Sequence, residues 1–373
     1  MPKRNEVFKN DIKKLFKKMK LIKINKNIIS IKTPTYFIAD IGANHDGSLS
    51  RAKKLIKLAA NNGANAVKFQ HFKAETIVSD VGFKKLGKIS HQKTWKKSVF
   101  EIYKDASINN NWTPILKKEC EKYKVDFLTS PYDLNYIDSV NKYIPAYKIG
   151  SGDINWTEAL VKIAKKRKPV LIACGASSLE ETKRAISTIR KYNKKIILMQ
   201  CNTNYTADKK NLKYVNLNVL SEFKKLYKNK IILGLSDHTF GSESVLGAIA
   251  LGARVIEKHF TDNNKRTGPD HKFAMNPKTW LQMVKSSRLL EQALGNGIKK
   301  VEKNELKSII VQRRALRCAK KIKKNTIIKK TDVIALRPCP KNSIPPNYLN
   351  KIIGKRIKKT MQYHDTFTWN IIK

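Results

Sequence analysis

Eight short apolar runs constrain this chain more than any other feature. They are Tyr36–Ile41, Ala66–Gln70, Val125–Thr129, Ala146–Ile149, Val170–Cys174, Ile196–Cys201, Ile231–Leu235 and Arg254–Ile256. Each has the length and the apolar character of a strand buried on both faces. Helix-length segments separate them, among them Leu49–Asn61 (with Ser48 as its cap), Thr113–Tyr123, Thr157–Lys166 and Leu179–Tyr192, and Pro277–Leu294 closes the series. One connection is longer: residues 72–111, carrying Trp95, Phe100 and Tyr103, read as a loop with short helices folded over the domain. Eight βα repeats over about 260 residues predict a TIM (β/α)8 barrel. An open doubly wound sheet is the alternative, but no G-x-G-x-x-G opens the first βα turn.

In such a barrel the C-terminal strand ends share one mouth. Here those ends carry Asp40, Lys68, Gln70, Thr129, Lys148, Ser151, Asp153, Asn202, Ser236, His238, His259 and Asp270, whereas the opposite ends are mostly Lys, Asn and Gly. The stretch from Ile231 to His271 is the richest. Its strand–helix–strand pattern brings His238 and His259 to neighbouring ends although 21 residues separate them. Two imidazoles with carboxylates nearby could hold a divalent metal, or be two unrelated histidines. Lys68 and Lys148 read as a Schiff-base nucleophile or an anion clamp. Hydroxyls at Thr129, Ser151 and Ser236 favour the clamp, for a phosphate or phosphate–carboxylate ligand. The plain alternative pairs a lysine with Asp153 or Asp40. Asp40 could itself orient water or act as a base. Gln70 and Tyr205 offer neutral hydrogen bonds of the kind that read sugar hydroxyls. Asn44-His45 are site residues or only turn formers.

Charge raises a competing reading. With 77 Lys+Arg against 29 Asp+Glu, the net charge is +48, which invites a nucleic-acid partner. Yet the lysines are spread over every helix-like segment, as in Arg51–Lys57, Lys117–Lys124 and Lys162–Lys168, and no aromatic–basic RNA motif appears. A solvated face tolerates lysine without a partner. No apolar run approaches the roughly 18 residues of a membrane span. Five widely spaced cysteines without a C-x-x-C fit a reducing cytoplasm. Residues 1–34 form a basic extension without a signal peptide's apolar stretch. Val7, Phe8, Ile12, Leu15, Phe16 and Met19 read there as an amphipathic helix packed on the main domain, with a membrane-surface helix as the alternative. The barrel is expected over 35–296 and a linker over 297–311. A small β-rich domain follows over 312–373, with strands at Ala315–Ala319, Val333–Leu336 and Thr366–Asn370 punctuated by Pro338, Pro340, Pro345 and Pro346.

Several motifs occur in one order: IADIGANHDGSL from Ile38, KFQ from Lys68, FLTSPYD from Phe127, PAYKIGSGD from Pro145, QCNTNY from Gln200, GLSDHT from Gly234 and EKHFTDNNKRTGPDH from Glu257. Together they resemble the sialic acid synthase (N-acetylneuraminate synthase) family. Leu336-Arg337-Pro338 and Ile353-Gly354-Lys355 resemble that family's antifreeze-like (SAF) domain, and the likeness covers about residues 35–373. The resemblance implies condensation of phosphoenolpyruvate with an open-chain N-acetylated amino sugar, N-acetylmannosamine-like, to a nine-carbon 2-keto acid and phosphate. It implies a divalent metal on His238 and His259, manganese first, magnesium or cobalt as alternatives. Asp40, His238 and His259 would be catalytic. Lys68, Thr129, Lys148, Ser151 and Ser236 would hold phosphoenolpyruvate. Gln70, Tyr205, Asp270 and Arg337 would contact the sugar, with Arg337 delivered from the partner of a domain-exchanged homodimer. Asp40 and Asp153 stand where the family often has Glu, Ala173-Cys174 replaces a hydroxyl-bearing pattern, and QCNTNY departs from the commoner His-Cys-Thr. A synthase for a related acid, legionaminate or pseudaminate, is therefore the alternative. A basic nucleic-acid- or surface-binding protein on a degenerate barrel is the alternative of another class.

Overall fold

Strands buried on both faces need a helical layer outside and a packed interior within, and the computed structural model shows both. It describes residues 20–89, 92–93 and 95–373; the amphipathic helix read between Val7 and Met19 lies outside them. Two antiparallel strands come first, β1 (Ile22–Ile24) and β2 (Asn27–Ile29). Eight parallel strands follow: β3 (Tyr36–Asp40), β4 (Ala66–His71), β5 (Asp126–Pro131), β6 (Tyr147–Ile149), β7 (Val170–Ala173), β8 (Ile196–Cys201), β9 (Ile232–Asp237) and β10 (Val255–His259). They close in sequence, with β10 hydrogen-bonded to β3. Among the described residues no helix is long and apolar enough to cross a membrane. The chain divides after Gly295 into two compact units.

Alternation along each strand sorts the core into two bodies. Phe37, Ala39, Val67, Phe69, Phe127, Tyr147, Ile172, Leu198, Leu235 and Ile256 face outward to the helices. Tyr36, Ile38, Ala66, Leu128, Ala146, Leu171, Ile197, Ile232 and Val255 face inward, where Ile22, Ile24 and Ile29 of the β1–β2 hairpin join them. This hairpin was not among the strands read from sequence. Asp126, inward-facing at the start of β5, accepts from Asn25 Nδ2 at 2.9 Å, Asn27 Nδ2 at 2.8 Å and Tyr36 Oη at 2.6 Å. Gly234 on β9 leaves room for its neighbours: a Cβ there would lie 2.7 Å from the Val255 carbonyl and 3.0 Å from Met199.

Several strands run further than their apolar stretch. β5 ends at Pro131 rather than Thr129, β9 at Asp237 and β10 at His259. The backbone ladder continues through polar residues once neighbouring strands can pair with them. Among the described residues of 72–111 there are short α-helices at Ala74–Ile77, Asp80–Leu86 and Val99–Ala106. They surround a small core of Ala74, Val78 and Val99, packed by Ile77, Phe83 and Tyr103 among others.

In the second unit β11 (Ala315–Cys318) pairs antiparallel with β12 (Val333–Leu336) over a core that includes Leu316, Ile328, Ile344, Ile357 and Phe367. The third strand expected at Thr366–Asn370 does not form. That segment makes only isolated bridges, Arg317 with Thr366 and Ser343 with Thr368, because the chain turns into a 3-10 helix at Trp369–Ile371 before a ladder can extend. Residues 303–312 are helical, as a 3-10 turn at Lys303–Glu305 and a helix at Leu306–Gln312.

His71, on the outward face of β4, illustrates how tightly the outer layer is satisfied. Thr129 Oγ1 donates to the Phe69 carbonyl at 3.0 Å, so His71 Nδ1 must donate to Thr129 Oγ1 at 2.7 Å. His71 Nε2 then accepts from Thr113 Oγ1 at 2.8 Å. Burial pushes this imidazole down from 6.5 to about 4. A depressed folded value means the unfolded chain binds more protons between the two pKa values. Stability is therefore whole above about pH 6.5 and falls as pH drops towards 4, by up to about 3 kcal/mol. Urea midpoints measured from pH 7 to pH 4 should show this slope, and His71→Gln should flatten it while lowering stability at pH 7.

Candidate active site

The inward parity continues to the C-terminal mouth. Asp40 on β3, Lys68 and Gln70 on β4, Lys148 on β6, Cys201 on β8, Ser236 on β9 and Glu257 and His259 on β10 share it, with His238 just beyond β9. All line one cavity of about 420 Å³, and Ser151, Asp153, Tyr205 and Asp270 reach it from loops. Phe72, Ile77, Ile102, Tyr103 and Tyr132 add an apolar wall. Volume and mixed lining suit a small-molecule site.

The floor is a buried ion quartet. Lys68 Nζ lies 2.7 Å from Asp40 Oδ2 and 4.0 Å from Glu257 Oε1, and Lys148 Nζ lies 3.3 Å from the same Glu257 oxygen. Ser236 Oγ donates to Glu257 Oε1 at 3.1 Å. All four side chains are at most 5% exposed. Burial pushes the Asp40 carboxyl up, but the Lys68 ammonium outweighs it and holds it below its ordinary value. Burial likewise lowers Lys68, and Asp40 and Glu257 more than reverse this. Glu257 Oε2 is buried with no hydrogen-bond partner, a costly state that a ligand or water donor would relieve. Lys68 thus takes the Asp40 pairing weighed from the sequence, while Lys148 pairs with Glu257 rather than Asp153. Burial raises Asp153 to about 6, and the Lys148 charge opposes that rise.

One wall is imidazole. The His238 and His259 ring centroids are 5.4 Å apart, and Tyr205 packs 4.4 Å from His238. His238 Nδ1 is 2.9 Å from the Asn202 carbonyl, which can only accept, so Nδ1 carries a proton; burial lowers the affinity of the ring for a second proton, Cys201 and the Asn202 carbonyl outweigh it, and Nε2 offers a lone pair only when the ring is neutral. His259 Nδ1 is buried without a hydrogen bond. Asp270 Oδ2 lies 3.6 Å from it, and Asp40 Oδ2 lies 3.5 Å from Nε2. Burial pushes His259 below its ordinary value, outweighing the two carboxylates, which favours the neutral ligating form. Among the described residues no three His, Cys, Asp or Glu side chains converge as a ready-made metal cage. Two neighbouring imidazoles, one with an orphaned nitrogen, are donors of the kind that could ligate a divalent ion. Gly42 (φ +50°) lets this wall close: a Cβ there would sit 2.5 Å from Asp270 Oδ2 and 3.0 Å from the His259 ring.

The structure brings together Asp40, Lys68, Gln70, Lys148, Ser151, Tyr205, Ser236, His238, His259 and Asp270. Gln70 Nε2 is 3.5 Å from Asp40 Oδ2, and Ser151 Oγ accepts the Gly175 N–H at 2.9 Å. Thr129 is a correction. It shares the outward parity of Phe127, is fully buried beside His71 and does not line the cavity; Ser130 holds the inward position. Arg337 is an exposed residue of the second unit, its Nε donating to the Gln312 carbonyl at 2.6 Å. Sequence reasoning missed Glu257 although it lies two residues before His259, hence on the same strand face. It also missed Cys201, two positions after Met199, and the apolar wall.

A closed (β/α)8 barrel with paired lysines, paired carboxylates and two histidines at its C-terminal mouth has its polar groups where enzymes of this fold place their active sites. Comparison narrows the class: the NeuB family model matches residues 55–299 and the SAF domain model residues 313–373. The chain belongs to the NeuB family. It is similar to the N,N'-diacetyllegionaminic acid synthase of Campylobacter jejuni, 35% identical over 86% of this chain and 95% of the relative. It is similar to the human N-acetylneuraminate-9-phosphate synthase, 28% identical over 91% and 93%. The crystal structure of the N-acetylneuraminic acid synthetase of Leptospira borgpetersenii superposes with a TM-score of 0.68 at 27% identity, over 78% of this chain and 95% of that one.

The quartet yields a direct expectation. Glu257→Gln leaves two ammonium groups facing one carboxylate and should cost about 3 kcal/mol, read as a lower melting temperature. Inorganic phosphate should then stabilise the variant more than the wild-type protein, because the floor has gained a positive charge. Equal phosphate effects on both would show that the floor does not bind anions.

Proposed function

We propose that this chain is a nonulosonic acid synthase. It condenses phosphoenolpyruvate with an open-chain N-acetylated amino sugar of the N-acetylmannosamine kind, giving a nine-carbon 2-keto acid and phosphate. One observation carries the reading: the Lys68–Asp40–Glu257–Lys148 floor and the His238–His259 wall share a single cavity. The family membership and the named relatives support it.

Phosphoenolpyruvate bears a carboxylate and a phosphate, and Lys68 and Lys148 are the cations of the floor, with Ser151 and Ser236 beside them. Carbon 3 of the enol bonds to the aldehyde carbon of the sugar. Water adds at carbon 2, and the bond from carbon 2 to the phosphate oxygen breaks, its electron pair leaving with phosphate. Of the water's two protons one ends on the former aldehyde oxygen and one on the released phosphate. Glu257 Oε2, buried and unpartnered next to Lys148, would take a proton from that water. Asp40, held ionised, stands beside His259 where the aldehyde oxygen would be protonated. His238 and His259 would hold a divalent metal, manganese first and magnesium or cobalt as alternatives, which would supply Lewis acidity at the aldehyde. Gln70, Tyr205 and Asp270 lie on the sugar side. A doubly N-acetylated acceptor leading to a legionaminate-type acid is the second reading, favoured by the apolar wall of Ile77, Ile102 and Tyr103. In this reading the enzyme works in the cytoplasm as a domain-exchanged homodimer, Arg337 meeting the acceptor of the partner subunit, and the lysine-rich surface is solvated without nucleic acid.

Phosphate release from phosphoenolpyruvate, assayed against singly and doubly N-acetylated hexosamines, tests the reading. EDTA should abolish release and Mn²⁺ restore it, and His238→Ala should bind no metal yet keep its circular dichroism; full activity after metal stripping refutes the metal role. A second experiment mixes Arg337→Ala with Lys148→Ala protein. Domain exchange leaves one heterodimer site with both lesions and one intact, so activity should return after subunits exchange. No recovery after demonstrated exchange rules out delivery across subunits.

A further inference from the structure

Two loops at the mouth are joined by a polar staple outside the cavity. The first follows β3 and contains Asp46, whose φ of +50° turns its side chain's backbone into the left-handed region. The second follows β10 and contains His271, which is fully buried and directly follows Asp270. His271 Nε2 is 2.9 Å from Asp46 Oδ1, and its Nδ1 is 2.7 Å from Thr261 Oγ1. Asp46 Oδ2 also receives Arg266 Nη2 at 2.8 Å and Arg51 Nε at 3.1 Å. Arg51 continues to Asp262 in the second loop, with Nη2 at 2.6 Å and Nη1 at 3.1 Å. Burial raises the Asp46 carboxyl, but His271, Arg266 and Arg51 outweigh it and keep it ionised. Two carboxylates and two guanidiniums therefore cross the gap between the loops, and the histidine fills its centre.

The staple ends where the cavity begins. Asp270 Oδ2 accepts the Ala43 N–H of the first loop at 2.9 Å and stands 3.6 Å from His259 Nδ1. Asp270 is half-buried in a loop and has no strand of its own to orient it. Besides its own bond to Ala43, it is tied to the first loop through its neighbour His271 and Asp46. We propose that Asp46 and His271 are positioning residues that hold Asp270 against His259 and thereby set the sugar side of the site, leaving the Lys68–Lys148 side untouched. The assignment of sides rests on the synthase reading above; the positioning itself does not.

Two measurements on the full chain separate these. The first needs no activity: amide hydrogen exchange in His271→Gln and Asp46→Asn. The Ala43 amide should exchange at least about tenfold faster than in wild type, while amides of the Pro277–Leu294 helix stay unchanged. Unchanged protection at Ala43 overturns the positioning role, whatever the enzyme catalyses. The second is kinetic. Each variant should raise KM for the acceptor sugar about tenfold or more and move KM for phosphoenolpyruvate less than twofold. In an Asp270→Asn background, His271→Gln should add nothing further, since it acts through the residue already changed. A uniform rise in both KM values, or full additivity with Asp270→Asn, overturns the proposal. A wild-type protein that releases no phosphate with any acceptor defeats the synthase reading instead and leaves the exchange result to decide the positioning.

Discussion

Everything at the mouth of this barrel depends on four charges that cancel inside it. Asp40, Lys68, Lys148 and Glu257 come from β3, β4, β6 and β10, and each is nearly inaccessible to water. Taking an ion from water into such a site costs several kcal/mol unless partners satisfy it. Here two cations meet two anions within 4.0 Å. The same pairing polices strand register. A one-residue slip of any of the four strands would turn its charge out among Phe37, Val67, Tyr147 or Ile256 and leave its partner buried alone. Strand register and the charge balance of the cavity floor therefore rest on one set of contacts.

Below the quartet the barrel is apolar, and its lower end is closed by the β1–β2 hairpin hung from Asp126. Above it the walls are mixed in character: imidazoles at the ends of β9 and β10, carboxylates from loops, and aromatic and aliphatic side chains from residues 72–111. Strand faces divide the labour further. Asp237 and Lys258 point outward from the same two strands that carry Ser236 and Glu257 inward, and they bond each other at 2.5 Å in the helical layer. Adjacent residues on one strand thus anchor the scaffold and supply the site.

Much of this could be read from the chain. The eight apolar runs gave the barrel because parallel strands buried on both faces leave so plain a signature, and the polar strand ends gave the mouth. Face parity was harder. Thr129 was included because its run ends there, yet the strand continues to Pro131 and puts Ser130, not Thr129, inside. Glu257 was overlooked because it sits beside a lysine that points the other way. The hairpin escaped notice because three-residue strands carry almost no periodicity, and its buried isoleucines lie among lysines and asparagines. The pairing at Thr366–Asn370 was overcounted because isolated bridges and ladders look alike in sequence. Asp46 and His271 could not be matched to each other at all: 225 residues separate them, and only the closed ring makes them neighbours.

The segment 72–111 has a further consequence. Its helices enclose their own small cluster of Ala74, Val78 and Val99, separate from both barrel cores. A module that carries its own core can drift, lengthen or be exchanged without disturbing β4 or β5, between which it is strung. Changes within such a module alter the roof of the cavity while leaving in place the strand that carries Lys68.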